Sequence, residues 1–419
     1  MKKFSAFSIS FLAVPLAFVG IPIYLNVADF YAQNFSLNLA LIGILLVFIR
    51  GFDAIQDPLV GYFSDRLSAK NFSHQKIIRV FSVILCAGFY LVFNPPKNLS
   101  PTLAATWFSV SLTLTYLAFN FVLINFESMI ATSAKDDSTR VSINSMKEFL
   151  GLIGMILAFI LPGIFTQIFA QNASRSYFWL SICFLILVAI ANFLFSSQRK
   201  ITAEPKNGHS KQIEYLAIFR DQKFVSFLMV FLVNSIAVSL PAANMNFYVR
   251  DVLAAEKNIP WFLSLYFVAA ALFIPLWRFL FAKFGLTKSW ILSIFGSVLT
   301  FIGAFFLNSE SANYFFLVCI FSGAFLGADL IAPPVILAQI SSDKKALVSS
   351  YFSLWNFVTK IGLMIAASGS LIILGLFGYS SGNSGGNSPY LVSFFYAALP
   401  CLLKTLVIAL ILRFKKYEI

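Results

Sequence analysis

Twelve long apolar stretches follow one another along the chain, separated by short polar breaks. They lie at about 6–31, 37–63, 76–95, 102–131, 142–169 and 176–196, then at 223–249, 259–282, 289–308, 313–340, 346–377 and 390–412. Each is long enough for an α-helix of roughly 20 residues to cross the hydrocarbon core of a bilayer. In that medium every backbone N–H and C=O must be bonded within the structure, so consecutive stretches of this kind fold as a helix bundle. Composition agrees: 59% of the 419 residues are hydrophobic and 11% are charged, outside the range of soluble domains. The expectation is an all-α membrane protein with twelve transmembrane helices. The first stretch is read as a membrane helix and not as a cleavable leader, because it runs on too long after Met1-Lys2-Lys3.

The most polar segment of the interior, 198–222, divides the stretches into two sets of six. It contains Arg199, Lys200 and Glu204 on its edge and then Pro205-Lys206-Asn207-Gly208-His209-Ser210-Lys211. It reads as a linker between an N-terminal half, 1–197, carrying the cation site, and a C-terminal half, 223–419.

An excess of 30 Lys and Arg over 17 Asp and Glu gives a net charge of +13. With an even number of spans both termini share one side, and the cations can be assigned to sides. Twenty-one fall with the termini, among them Lys2, Lys3, Arg66, Lys70, Arg199, Lys200, Lys344 and Arg413, against four opposite: Lys97, Arg175, Arg250 and Lys257. The positive-inside rule makes the termini cytoplasmic. The charge thus reports topology and calls for no nucleic-acid partner. Cys86, Cys183, Cys319 and Cys401 sit in apolar stretches without metal-ligand spacing, and His74 and His209 sit in polar ones. With no His cluster, Cys pair or nucleophile motif, an enzyme is not expected.

The remaining cations, Arg50, Lys147, Arg278, Lys360 and Lys404, and several acids fall within the apolar stretches. Ionisable groups inside the membrane are costly and mark functional sites. The second stretch holds Arg50, Asp53 and Asp57-Pro58 at helical spacings that place them on one face. Two carboxylates one turn apart can share a proton or a small hard cation. Pro58 frees a carbonyl one turn earlier. The eleventh stretch supplies a counter-charge, Lys360, beside Trp355 and Asn356. At about 1.5 Å per residue, Asp53 lies about 18 Å in from Asp65 and Lys360 about 24 Å in from Lys344, a difference a lysine stem can bridge. The fourth stretch adds Asn120, Asn125 and Glu127, a possible partner for Lys147 or Arg140. The tenth adds Asp329, as a substrate ligand or a gating partner for Arg278, and Pro333-Pro334.

Arg50, Asp53, Asp57-Pro58, Gly61 and Ser64-Asp65-Arg66, followed by Phe247-Tyr248, Pro275-Leu276-Trp277, Gly327-Ala328-Asp329, Pro333-Pro334, Trp355-Asn356 and Lys360, resemble in order and spacing the glycoside–pentoside–hexuronide:cation symporters. These form the melibiose-permease-like family of the major facilitator superfamily, and the resemblance covers essentially the whole chain. It implies two pseudo-symmetric six-helix halves, a central site open alternately to each side, and uptake driven by Na+, Li+ or H+. By position it implies Asp53, Asp57 and Asn120 as cation ligands, and Arg50 and Lys360 as coupling charges. Lys147, Trp355, Asn356 and Asp329 become candidates for substrate contact, and Gly61, Asp65 and Arg66 for the gate. Two departures matter. Where the family carries sugar-binding carboxylates on helices 1 and 4, this chain has Ala13 and Leu123, which cannot accept hydrogen bonds from sugar hydroxyls.

The sequence therefore points to a cation-coupled symporter of the bacterial inner membrane, importing a sugar, glycoside or similar small polar solute. The alternatives are a uniporter or a lysolipid transporter of the same fold and, from another class, a non-transporting membrane receptor. No cofactor is expected beyond the coupling ion, Na+ or H+. The expected partners are a small-molecule substrate and the lipid bilayer, with the chain acting as a monomer.

Overall fold

The computed structural model describes residues 3–25, 27–35, 37, 39–70, 72–96, 98–133, 136–168, 173–196, 215–376 and 388–414. Most of the expected linker, 198–214, lies outside them. The helices are α1 (Lys3–Ser10), α2 (Ala13–Leu25), α3 (Val27–Phe35), α4 (Leu39–Ala69), α5 (His74–Phe93), α6 (Pro101–Ser133), α7 (Asp137–Ile168) and α8 (Ala173–Ser196). After them come α9 (Gln222–Phe247), α10 (Ile259–Phe284), α11 (Leu286–Phe305), α12 (Phe315–Ile340), α13 (Val348–Leu376), α14 (Ser388–Ser393) and α15 (Leu399–Phe414). Single π-turns, Tyr248–Val252 and Phe394–Ala398, extend α9 and join α14 to α15.

Among the described residues, ten helical stretches are long and apolar enough to cross a membrane. The two remaining passages depart from that pattern for visible reasons. The first is divided into α1, α2 and α3. Pro15 has no N–H to bond the Phe11 carbonyl, and that carbonyl takes the Val14 N–H at 3.0 Å instead, across the break at residues 11–12. The second passage, α4, is long enough but carries Arg50, Asp53 and Asp57 in its middle.

Contacts divide the chain into two compact units, Met1–Tyr215 with Ser341–Leu354, and Leu216–Ile340 with Trp355–Ile419. Each unit has its own packing, and the pairings repeat. In the first, α5 packs on α6 and α8, α4 on α6, and α2 on α7. In the second, α11 packs on α12 and α15, and α10 on α12. The seventh and eleventh passages complete the correspondence: Ser235 Oγ donates to the Thr359 carbonyl at 3.3 Å, and Asn244 Nδ2 to Ser370 Oγ at 3.1 Å. Where the first passage crosses the fifth and the seventh crosses the eleventh, a glycine permits the approach. A Cβ on Gly154 would lie 2.2 Å from the Val14 carbonyl oxygen, and one on Gly362 2.4 Å from Ser235 Oγ. Close approach at small residues is how membrane helices gain packing where lipid gives no hydrophobic drive.

Helix ends outside the apolar stretches are capped in the ordinary way. Asp136 precedes α7 and accepts the Thr139 hydroxyl at 2.8 Å and the Thr139 N–H at 2.9 Å. Those two bonds hold its carboxyl below the ordinary carboxylate range. The cap is therefore present at neutral pH and is lost only as pH falls through that lowered range.

Candidate functional site

The α4 helix is two-faced. Phe48, Phe52, Ile55, Leu59 and Phe63 are exposed, while Asp53, Gln56, Asp57, Val60 and Ser64 are buried. The buried acids cannot be solvated, so their partners come from within the unit. Asp53 Oδ1 accepts Asn120 Nδ2 of α6 at 2.8 Å and Gln56 Nε2 at 3.1 Å. Asp57 is 1% exposed. The structure thus brings Asp53 and Asn120 together and adds Gln56, which sequence reasoning missed although it stands between the two acids. Arg50, expected on the same face, is exposed about one turn before Asp53. Among the described residues no group of three or more His, Cys, Asp or Glu side chains gathers.

One turn further along, Asn125 of α6 donates to Ser64 Oγ at 2.8 Å, and its Oδ1 lies 2.8 Å from His74 Nδ1. On α7, Lys147 is buried between two carboxylates, Glu148 at 3.0 Å and Glu127 at 3.6 Å. Ala13 is buried in the unit's core, and Leu123 packs against it.

At the end of α4 the expected gating residues meet the short segment that precedes and opens α13. Asp65 accepts the backbone N–H of Ser349 at 3.0 Å and of Ser350 at 2.8 Å, and the Ser350 hydroxyl as well. These N–H groups belong to the first turn of α13, whose donors have no intrahelical acceptor. Gly61 fits against the same turn: a Cβ there would lie 2.1 Å from Ser353 Oγ and 2.8 Å from the Ser349 carbonyl oxygen. Arg66 is exposed, its Nη1 3.5 Å from the Tyr62 hydroxyl.

In the second unit, Trp355, Asn356 and Lys360 are half-buried on α13, and the Trp355 ring packs on Phe231 with centroids 5.3 Å apart. Asp329 of α12 pairs with Lys404 of α15, and Trp290 Nε1 of α11 donates to its other oxygen at 2.7 Å. Lys404, not the exposed Arg278, is its cation. Sequence depth could have found this pair. Asp329 lies 11 residues before the end of α12 and Lys404 10 before the end of α15, about 16 and 15 Å in.

The pattern of one family, described as MFS/sugar transport protein, matches residues 6–418. The chain belongs to that family. It is similar to the uncharacterized symporter YnaJ of Bacillus subtilis, 23% identical over 376 residues, 84% of this chain and 78% of that one. It is also 20% identical to the sodium-dependent lysophosphatidylcholine symporter 1 of Xenopus tropicalis, over 84% of this chain and 76% of that one. Its fold matches the crystal structure of a bacterial homologue of the iron transporter ferroportin in its outward-facing state. There the TM-score is 0.76 at 13% identity, covering 99% of this chain and all of that one. This member of the MFS/sugar transport family is accordingly a secondary transporter with the major facilitator fold, twelve passages in a lipid bilayer, and no enzyme.

Proposed function

We propose that the chain is a cation-coupled symporter that imports a sugar, glycoside or similar small polar solute, with Na+ or H+ held at Asp53, Asp57 and Asn120. The observation that carries this reading is a cluster of buried oxygens on α4. Two carboxylates are buried a turn apart, and Gln56 Oε1 beside them has no hydrogen-bond partner among the described residues. Such a cluster favours a positive guest, either a hard cation taken by oxygens or a proton neutralising one acid. If occupancy favours the solute-binding conformation, the solute favours occupancy equally, and that reciprocity is the coupling. In this reading Arg50 and Lys360 are the coupling charges, Lys147, Trp355 and Asn356 contact the solute, and Gly61, Asp65 and Arg66 form the gate. The bias of Lys and Arg toward one set of loops supports cytoplasmic termini and a bacterial inner-membrane location.

The test is uptake into proteoliposomes under an imposed Na+ or H+ gradient. Asp53→Asn and Asp57→Asn are each expected to abolish accumulation against a gradient. Retention of both accumulation and cation dependence in these variants would reject the mechanism.

A second reading, a lysolipid as solute, is favoured by the relative in Xenopus tropicalis and by Ala13 and Leu123, which offer a sugar no acceptor. Competition of uptake by monosaccharides, glycosides and lysophosphatidylcholine in the same vesicles separates the two.

A further inference from the structure

The second unit contains a partly open cavity of ≈ 150 Å³ between α9, α10, α11, α12, the π-turn leading to α15 and α15 itself. Its wall is mostly carbon, from residues that include Met245, Phe267, Val298, Phe301 and Leu326. The charged end is the Asp329–Lys404 pair, both members of which line the void, and Tyr266, Ser297, Ser322 and Tyr396 also line it. Asp329 gives one oxygen to Lys404 and the other to Trp290, and among the described residues neither Asp329 nor Lys404 has a further hydrogen-bond partner.

An ammonium has three donors and a carboxylate about four acceptor sites, so both groups keep hydrogen-bonding capacity at the wall of the void. An ion pair withdrawn from water is poorly compensated unless further hydrogen bonds satisfy it. One hydroxyl supplies a further bond to each, donating to Asp329 and accepting from Lys404. It also adds no net charge to a pair that is already neutral. A guest bearing a charge would leave that charge uncompensated in a low-dielectric space. A sugar fits less well than a ring with one hydroxyl, because the wall is mostly carbon even with Tyr266, Tyr396, Ser297 and Ser322 in it. The volume equals that of an engineered apolar cavity, about 150 Å³, that stays dry and takes up benzene.

We propose that this cavity is a binding pocket, apart from the α4 cation cluster, for an uncharged single-ring molecule with one hydroxyl: a phenol or a small cyclic alcohol. The hydroxyl sits between Asp329 and Lys404, and the ring lies among Phe267, Phe301 and Leu326.

Equilibrium dialysis of the purified full chain in detergent, against protein-free micelles, tests this without reference to the transported solute. Phenol is expected to bind saturably, one per chain, at least tenfold more tightly than benzene, benzoate or benzylamine. Val298→Phe, which fills the ring end, is expected to weaken phenol at least tenfold while leaving the ion pair in place. Replacing the pair together, Asp329→Leu with Lys404→Met, is expected to erase the preference for phenol over benzene. Partitioning no greater than into empty micelles, an advantage over benzene below tenfold, or equal binding by Val298→Phe would overturn the proposal. The ligand series on the unaltered chain decides the matter even if the double variant does not fold.

Discussion

Asp65 Oδ2 accepts the backbone N–H of Ser350 at 2.8 Å across 285 positions of sequence. With Ser349 bonded to the other oxygen at 3.0 Å, a fully buried carboxylate caps the first turn of α13 from a different helix. In its ionised form the carboxylate is stabilised at this helix N-terminus by the aligned peptide dipoles as well as by the bonds themselves. Asp65→Asn keeps the shape but removes the charge and one acceptor oxygen. Loss of a charge-assisted bond costs about 1.5–3 kcal/mol, so the Ser349 and Ser350 amides are expected to exchange with deuterium about 30-fold faster, at 1.4 kcal/mol per tenfold. Unchanged exchange over 341–354 would show that the cap does not hold this turn.

The same turn explains Gly61. A Cβ there would stand 2.1 Å from Ser353 Oγ, 2.5 Å from Ser353 Cβ and 2.8 Å from the Ser349 carbonyl oxygen. The serine side chain can be removed by mutation, but the carbonyl cannot. Gly61→Ala is expected to lower the melting temperature by a loss of about 1–3 kcal/mol, the range for overpacked sites. Adding Ser353→Gly should restore only part of it, and a double-mutant cycle measures that part. Full rescue would place the whole clash on the Ser353 side chain.

Much of this site was legible because charge is so conspicuous in an apolar run. Asp53, Asp57, Asp65 and Asp329 announce themselves by desolvation cost alone, and twelve spans follow from the lengths of the runs. What could not be read is which atoms meet. Gln56 is a residue type that often serves only to join helices, so nothing marked it as the donor to Asp53. Lys404 was visible but unassigned, because its partner lies 75 positions away and only equal depth within parallel passages links them. Gly61 had a place in a resembling motif, but its physical reason is a backbone approach that no sequence pattern encodes.

Asn120 gives the cation reading a graded test. Its amide donates to Asp53 Oδ1 at 2.8 Å, and it is 2% exposed. Asn120→Ala removes an N–H group that holds this oxygen, and a hydrogen bond to a charged group contributes about 1.5–3 kcal/mol. The apparent affinity for the coupling cation, read from the cation dependence of uptake, is expected to change by about tenfold or more. Asn120→Asp, which adds a third carboxylate, should shift selectivity between Na+ and H+ toward the proton, because like charges raise carboxyl pKa values. A cation dependence unaltered in both variants would remove Asn120 from the site.

Lys147 presents the opposite balance, one buried ammonium between Glu148 at 3.0 Å and Glu127 at 3.6 Å. Removing this buried cation from beside two carboxylates costs about 3–5 kcal/mol, the range for breaking a buried ion pair. Lys147→Met is therefore expected to reduce thermal stability sharply, whatever its effect on the solute. Glu127→Gln in the same background removes one of the two buried negative charges and should recover a large share of the loss, while Glu148, the more exposed acid, should matter less. The comparison separates structure from transport. If Lys147→Met with Glu127→Gln recovers its melting temperature but not uptake, the ammonium itself serves the solute, whereas recovery of both would confine Lys147 to packing.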